Sequence, residues 1–389
     1  MKSKIILLIF TISFCSTIAQ DWTQLADIPG VGRYWSAAFT INNKIYTGTG
    51  VTDFGGDATQ DMWEYDPSSD TWTQIADYPA GIREGADGFG DGNRGFLAFG
   101  TSFIQFTSTV YEYLPATNTW EAKASCPASF AYSHGFTLNG KYYIGPENGN
   151  NKMHAYDFDS DSWSEVAPFP GQDRRAQVAF AANGKGYIGL GMFVFGGVLG
   201  DFYAYDPVAD SWTQKASLSP VSDQSCATSI NNEGYVFNVG QNGKSVYKYN
   251  EALNEWEFLS SHPSDRIANG TFIGLNGAGY LVFGERTISG GNIPSQQLWR
   301  YIPSSVSINK LEDKSIGLIC SQSGALVFNS SIPQVARIKV WTLDGKLIQD
   351  QELSFSDGPT SIPVQYSGVI VYQLSNQNGL IHSAKCLVQ

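Results

Sequence analysis

The chain has 389 residues and a formal net charge of −12, with 14% aromatic and only 15% charged residues, and 41 glycines. This acidic balance excludes a nucleic-acid-binding face, which needs a basic surface. Aromatic-rich, glycine-rich and charge-poor, the composition fits an all-β protein of many short strands and tight turns, and the length admits two or three domains.

Residues 1–19 read as a signal peptide: Lys2 and Lys4 precede the apolar run Ile5–Phe14, and Thr17-Ile18-Ala19 supplies small residues for cleavage. The run is too short to span a bilayer, and no later segment is long and apolar enough, so the sequence predicts an exported chain without a transmembrane segment.

From residue 20 to 303 the chain repeats itself. Trp22, Trp72, Trp120, Trp163, Trp212 and Trp256 recur 43 to 50 residues apart, and before the last five stands a tyrosine with a polar turn, as in YDPSSDTW and YDPVADSW. A seventh partial copy, Leu298–Pro303, matches Met62–Pro67 and stops before its tryptophan. Such a period marks a propeller or solenoid, and short β-like runs without helical periodicity favour the propeller. Aligned inner-strand segments begin at Arg33, Arg83, Phe130, Arg174, Gln224 and Arg266. Turns such as Asn139-Gly140 and Asn183-Gly184 follow, then a second strand, a third ending near the tyrosine turn, and the tryptophan strand as the fourth. Six such units predict a six-bladed β-propeller. The lone strand at Trp22–Leu25 is expected to complete the last blade, which limits open sheet edges.

These units resemble kelch repeats, the family that also supplies the central domain of galactose oxidase. The resemblance rests on the arginine at the inner-strand start, the Gly-Lys-x-Tyr second strand with its following glycine, and the Tyr…Trp spacing. The family's Gly-Gly after the second strand survives here only as Gly196-Gly197.

Residues 304–389 abandon the repeat for alternating runs, which predict a small antiparallel β-sandwich. Ile338–Lys346, with its Asp344-Gly345 turn, and the ending Gly368–Tyr372 through Ser383–Val388 are similar to C-terminal sorting domains of type IX secretion. That resemblance implies type IX machinery as a partner, and a secreted or outer-membrane-surface location. Cys320 and Cys386 fall within this segment and form a candidate disulfide in an exported chain. Cys126 and Cys226 lie two units apart, where pairing across a propeller is disfavoured.

The tryptophans are read as packing between blades. Asp66, Asp70, Asp157, Asp161, Asp206 and Asp210 are read as turn formers bonding local backbone. Arg33, Arg83, Arg174 and Arg266 share one register, expected at the mouth of the central channel. They would either form a ligand-binding anion site or pair with acids nearby, Glu84, Asp87, Asp173, Asp223 and Asp265 among them. Glu147 and Glu285 end second strands and are candidate catalytic bases beside those arginines. Phe103, Phe106, Phe193 and Phe195 lie on long second-to-third-strand loops and form a candidate partner-binding rim. Gly284-Glu285 resembles a rim dipeptide of kelch-type sialic acid epimerases. Copper oxidase chemistry is disfavoured, because of His134, His154, His262 and His382 only His134 falls on an inner strand near the mouth. No metal or cofactor is implied. The sequence therefore predicts a propeller that binds a glycan or a protein at its mouth. An enzyme acting on an acidic sugar is the alternative, and a structural surface protein a third reading.

Overall fold

The computed structural model describes residues 21–303 apart from 53–56, 103–104, 147–148, 194, 220–221, 223, 239–243, 264–265 and 289–290. It describes residues 316–388 apart from 323–324, 331–333, 343–345, 356–357, 365–367 and 377–378. The chain divides into two compact units after Pro303.

The first unit is all-β among the described residues, and every pairing between its strands is antiparallel. Its main sheets hold four strands in up-and-down order. The first sheet is Ala37–Ile41, Lys44–Gly48, Met62–Asp66 and Thr71–Ile75. The second runs from Glu84–Gly90 through Gly95–Ser102 and Val110–Leu114 to Thr119–Lys123, with Gln105–Phe106 added at the end of its second strand. Equivalent sheets begin at Phe136–Leu138 (third), Val178–Ala182 (fourth) and Cys226–Ile230 (fifth). The sixth takes Thr271–Leu275, Ala278–Val282 and Leu298–Tyr301 from one end of the repeat region, and its fourth strand, Trp22–Gln24, from the other. First strands of successive sheets touch in order, and that of the sixth touches that of the first.

The hairpins form where the sequence places asparagine and glycine. Asn139-Gly140, Asn183-Gly184 and Asn276-Gly277 all have positive φ at both positions, as do Asn42-Asn43 and Asn231-Asn232. That is the backbone of a two-residue turn whose twist matches the strands it joins. Second strands are almost wholly buried, as at Ala278–Val282, while fourth strands alternate exposed residues with a half-buried tryptophan.

The outer edges are tied by a repeated clamp. Trp72, Trp120, Trp163, Trp212 and Trp256 each donate an indole N–H, at 2.8–3.0 Å, to the carbonyl of an alanine on the preceding sheet: Ala26, Ala76, Ala124, Ala167 and Ala216. The N–H of the same alanine donates to Asp70, Asn118, Asp161, Asp210 or Asn254. Each of those side chains also accepts its own sheet's tyrosine hydroxyl, from Tyr65, Tyr113, Tyr156, Tyr205 or Tyr249. This corrects part of the aspartate reading. Asp66, Asp157 and Asp206 do cap local turns. Asp70, Asp161 and Asp210 instead reach the neighbouring sheet, from a left-handed backbone that aspartate and asparagine tolerate. Asp161→Ala orphans the Ala124 N–H and the Tyr156 hydroxyl and is expected to cost about 2–3 kcal/mol in chemical denaturation. Asp161→Asn is expected to be nearly neutral, because Asn118 and Asn254 do the same work in their sheets.

Cys126 and Cys226 are buried and not disulfide-bonded. The second unit forms two antiparallel sheets. Ile316–Gln322, Ala325–Ser330 and Gly358–Pro363 make one; Leu347–Phe355, Gln334–Thr342, Gly368–Asn376 and Gly379–Val388 make the other. Cys320 lies on the first sheet and Cys386 on the second; their side chains lie outside the described residues. No described helix is long and apolar enough to cross a membrane.

Candidate functional site

First strands from all six sheets line a channel of about 260 Å³. Small and hydroxylic residues dominate its wall, among them Ala38, Gly88, Gly135, Thr228 and Thr271. At one end the backbone narrows it. The Trp35 N–H donates to the Asn269 carbonyl, Gly85 to Trp35, Tyr132 to Gly85 and Ala176 to Tyr132, at 2.7–3.1 Å. These five residues all have φ of 53–61°, and they border a cavity of only about 40 Å³. Gly85 is required in this belt, since a Cβ there would lie 2.5 Å from the Tyr132 ring.

One titratable cluster faces the channel. Asp87 holds His134 Nδ1 at 3.0 Å, accepts the Gly135 N–H at 3.0 Å, and accepts a short hydrogen bond from the Tyr142 hydroxyl. Burial works to lower the His134 pKa, and the Asp87 bond and charge outweigh it, so the imidazole titrates above its ordinary value. The cluster fixes the imidazole's orientation and provides a proton-exchanging group on an otherwise uncharged wall. Asp87 and Tyr142 were not singled out as site residues from sequence; they stand 47 and 8 positions from His134 on two different sheets.

The arginine register is not in this channel: among the described residues no arginine lines it. Arg33 is fully buried and forms a two-pronged pair with Asp61, Nη1–Oδ1 at 2.7 Å and Nη2–Oδ2 at 2.8 Å. Its guanidinium also donates to Thr59 Oγ1 and the Thr49 carbonyl, and lies 5.0 Å over the Phe283 ring. Arg174 repeats this with Asp201, both bonds 2.8 Å, over Phe169 at 4.8 Å. Both side chains are thus directed into their own sheets and held by a carboxylate there. Neither Asp61 nor Asp201 was among the acids expected. Of those that were, Asp87 serves His134, Asp173 accepts the Gly149 N–H, and Asp223 and Asp265 lie outside the described residues. A signal did exist: the residue before the third strand is aspartate only in the first and fourth sheets, and is Thr109, Lys152, Lys244 and Gln297 elsewhere.

Arg83 and Arg266 differ. Arg83 Nη1 donates to the Ile82 carbonyl at 2.7 Å, and Arg266 Nη2 makes a short bond to Gln224 Oε1. Neither has a carboxylate partner among the described residues, and the Nε of each is buried without a hydrogen bond. Glu285 is buried on Glu285–Ile288 beside Ile267–Ala268, where it accepts from Asn269 Nδ2 at 3.2 Å. Glu147 and Phe103 lie outside the described residues.

Phe193 is on Met192–Phe193, paired with Arg174–Arg175, and its ring meets that of Phe195 at 5.3 Å. Phe195 is 88% exposed, and Val198, three positions on, is also exposed. Phe106 is exposed on the corresponding loop of the second sheet.

Repeated four-stranded antiparallel sheets whose first strands line one channel, among the described residues, place this unit among the β-propellers. No family model matches the chain. It is 26% identical over 218 residues to Kelch-like protein 35 of Mus musculus, covering 54% of this chain and 35% of that protein. It is 31% identical over 121 residues to N-acetylneuraminate epimerase of Yersinia enterocolitica, covering 28% of this chain and 29% of that one. The chain thus spans about a third of the length of the curated relatives it matches. Among solved structures it is similar in fold to YjhT, with a TM-score of 0.59 and 16% identity, over 70% of this chain and 95% of that one. The repeat unit has a β-propeller fold and is similar in sequence to kelch-like proteins.

Proposed function

We propose that this chain is an exported binding module: a six-bladed kelch propeller, closed by its N-terminal strand, that recognises a protein partner through its second-to-third-strand loops. The observation that carries the reading is the Phe193–Phe195 protrusion, a pair of rings in mutual contact with one of them 88% exposed. Large exposed aromatic side chains are disfavoured in water unless something covers them, and such residues dominate the energetics of interfaces. Phe106 extends the apolar surface on the second sheet's loop. Residues 1–19 would direct export and 304–389 would engage type IX machinery, placing the propeller outside the cell; the motifs at the two ends of the sequence support this.

The test compares the full chain with a Phe193→Ser/Phe195→Ser variant in cross-linking to cell-surface proteins and on a glycan array. A protein captured by the wild type and bound at least ~30-fold more weakly by the variant, at unchanged melting temperature, is the expected result. Glycan capture unaffected by the substitution would overturn it.

A second reading, an enzyme acting on an acidic sugar, is favoured by the epimerase relatives and by buried Glu285. With Arg33 and Arg174 held by Asp61 and Asp201, it depends on Arg83, Arg266 and Glu285. Interconversion of N-acetylneuraminate anomers, followed by NMR and abolished in Glu285→Gln, would establish it.

A further inference from the structure

The first, second and fourth sheets share one local design, and the second departs from it at the residue before its third strand. Thr49, Phe99 and Leu190 end their second strands in the left-handed region, with φ of 55–67°. Each donates its N–H to the residue before the third strand: Thr49 to Asp61, Phe99 to Thr109 and Leu190 to Asp201, at 3.1–3.2 Å. Arg33, Arg83 and Arg174 begin the corresponding inner segments. Thr109 therefore stands where Asp61 and Asp201 stand.

Arg83 has kept its burial while losing that partner. It is only 8% exposed, its Nε makes no hydrogen bond, and among the described residues its one side-chain bond is to the adjacent Ile82 carbonyl. Tyr78 is buried beside it. The Tyr78 hydroxyl, near Thr109, makes no hydrogen bond of normal geometry. Burial pushes that phenol up to about 12 against the opposing pulls of Thr109 and Arg83. A guanidinium withdrawn from water without a counter-charge is strongly disfavoured, and so is a buried phenol with no acceptor. Both groups donate, and both are satisfied by one negatively charged acceptor. In the sister sheets that acceptor is a carboxylate held by two parallel N–H···O bonds. Those carboxylates remain 25% and 22% exposed, so the position is reached from solvent.

We propose that Arg83, Tyr78 and Thr109 form a carboxylate-binding site, in which a ligand's carboxylate occupies the place that the Asp61 and Asp201 side chains fill in the first and fourth sheets. The site is separate from the Phe193–Phe195 protrusion and does not depend on the partner-binding reading. Its ligand is either a small free acid or an acidic side chain of another protein. Arg266 does not qualify in the same way, because Gln224 already supplies it with an acceptor.

The experiment is thermal melting of the full chain at constant ionic strength, with chloride replaced by acetate, by phosphate, or by an aspartate-containing tripeptide blocked at both ends. Acetate is expected to raise the propeller transition by about 2–4 °C at saturation. Thr109→Asp is expected to raise it by a similar amount in chloride and to abolish the acetate response. A tripeptide acting at lower concentration than acetate would identify a protein side chain as the ligand, and equal action a small acid. No acetate response, a larger response to phosphate, or an acetate response that survives Thr109→Asp would overturn the proposal.

Discussion

Asp61→Ala is expected to destabilise the propeller by about 3–5 kcal/mol, read as a fall in the denaturant midpoint. Arg33 has no exposed surface, so without Asp61 it retains its bonds to Thr59 and the Thr49 carbonyl but loses its counter-charge. Trp63 Nε1, which also donates to Asp61 at 2.7 Å, is orphaned as well. Replacing both members, Arg33→Met with Asp61→Ala, is expected to be milder than Asp61→Ala alone, because an apolar side chain needs no counter-charge. A double variant as unstable as the sum of the singles would sink this account. The pair also sets an acid limit. Burial works to raise the Asp61 pKa, but the Arg33 bonds and charge and the Trp63 bond more than offset it, so the folded value is depressed. Its contribution is therefore present above the ordinary carboxylate range near pH 4 and is lost as pH falls through the lower folded value.

The parts of this fold that were legible in the sequence are those whose signals are local. Asn139-Gly140 or Asn276-Gly277 specifies a hairpin because two adjacent residues must both adopt positive φ. The tyrosine and tryptophan spacing reports a strand pair directly, since Tyr65 lies opposite Trp72 and Tyr205 opposite Trp212. What failed was direction. Asp70 was read as a local turn former because sequence shows only its neighbours; in the structure one oxygen accepts both Tyr65 and the N–H of Ala26, 44 positions away. Equal register around a ring left open whether the four arginines form an anion site or pair with acids, and it did not name the acids. A side chain's direction follows from its nearest charge partner, and for Arg33 and Arg174 that partner lies 28 and 27 positions away in the same sheet. The Asp87–His134 contact bridges adjacent sheets and leaves no spacing signature in the chain.

His262 makes the largest pH prediction. It is buried between two indoles, with ring centroids 4.6 Å from Trp22 and 4.5 Å from Trp299. Trp22 belongs to the N-terminal strand docked on the sixth sheet. Burial first, then the charges of Lys244 and Arg286, push its pKa down to about 3. An unfolded histidine titrates near 6.5, so between those values the unfolded chain takes up a proton that the folded chain refuses. Stability is full above about pH 6.5 and falls toward pH 3, by up to about 1.4 kcal/mol per unit, or roughly 2–3 kcal/mol at pH 4.5. His262→Phe keeps an aromatic ring between the indoles and removes the titration. The variant is expected to lose far less than the wild type between pH 7 and 4.5, in denaturant melts at each pH. Equal losses would sink the prediction and move the acid sensitivity to carboxylates. Because the imidazole touches Trp22, protonation should loosen the N-terminal strand before the rest. Hydrogen exchange at the Leu25 and Ile302 N–H groups, which bond Leu298 and Asp21 across that strand pair, is expected to accelerate at pH 4.5 ahead of amides in the first sheet.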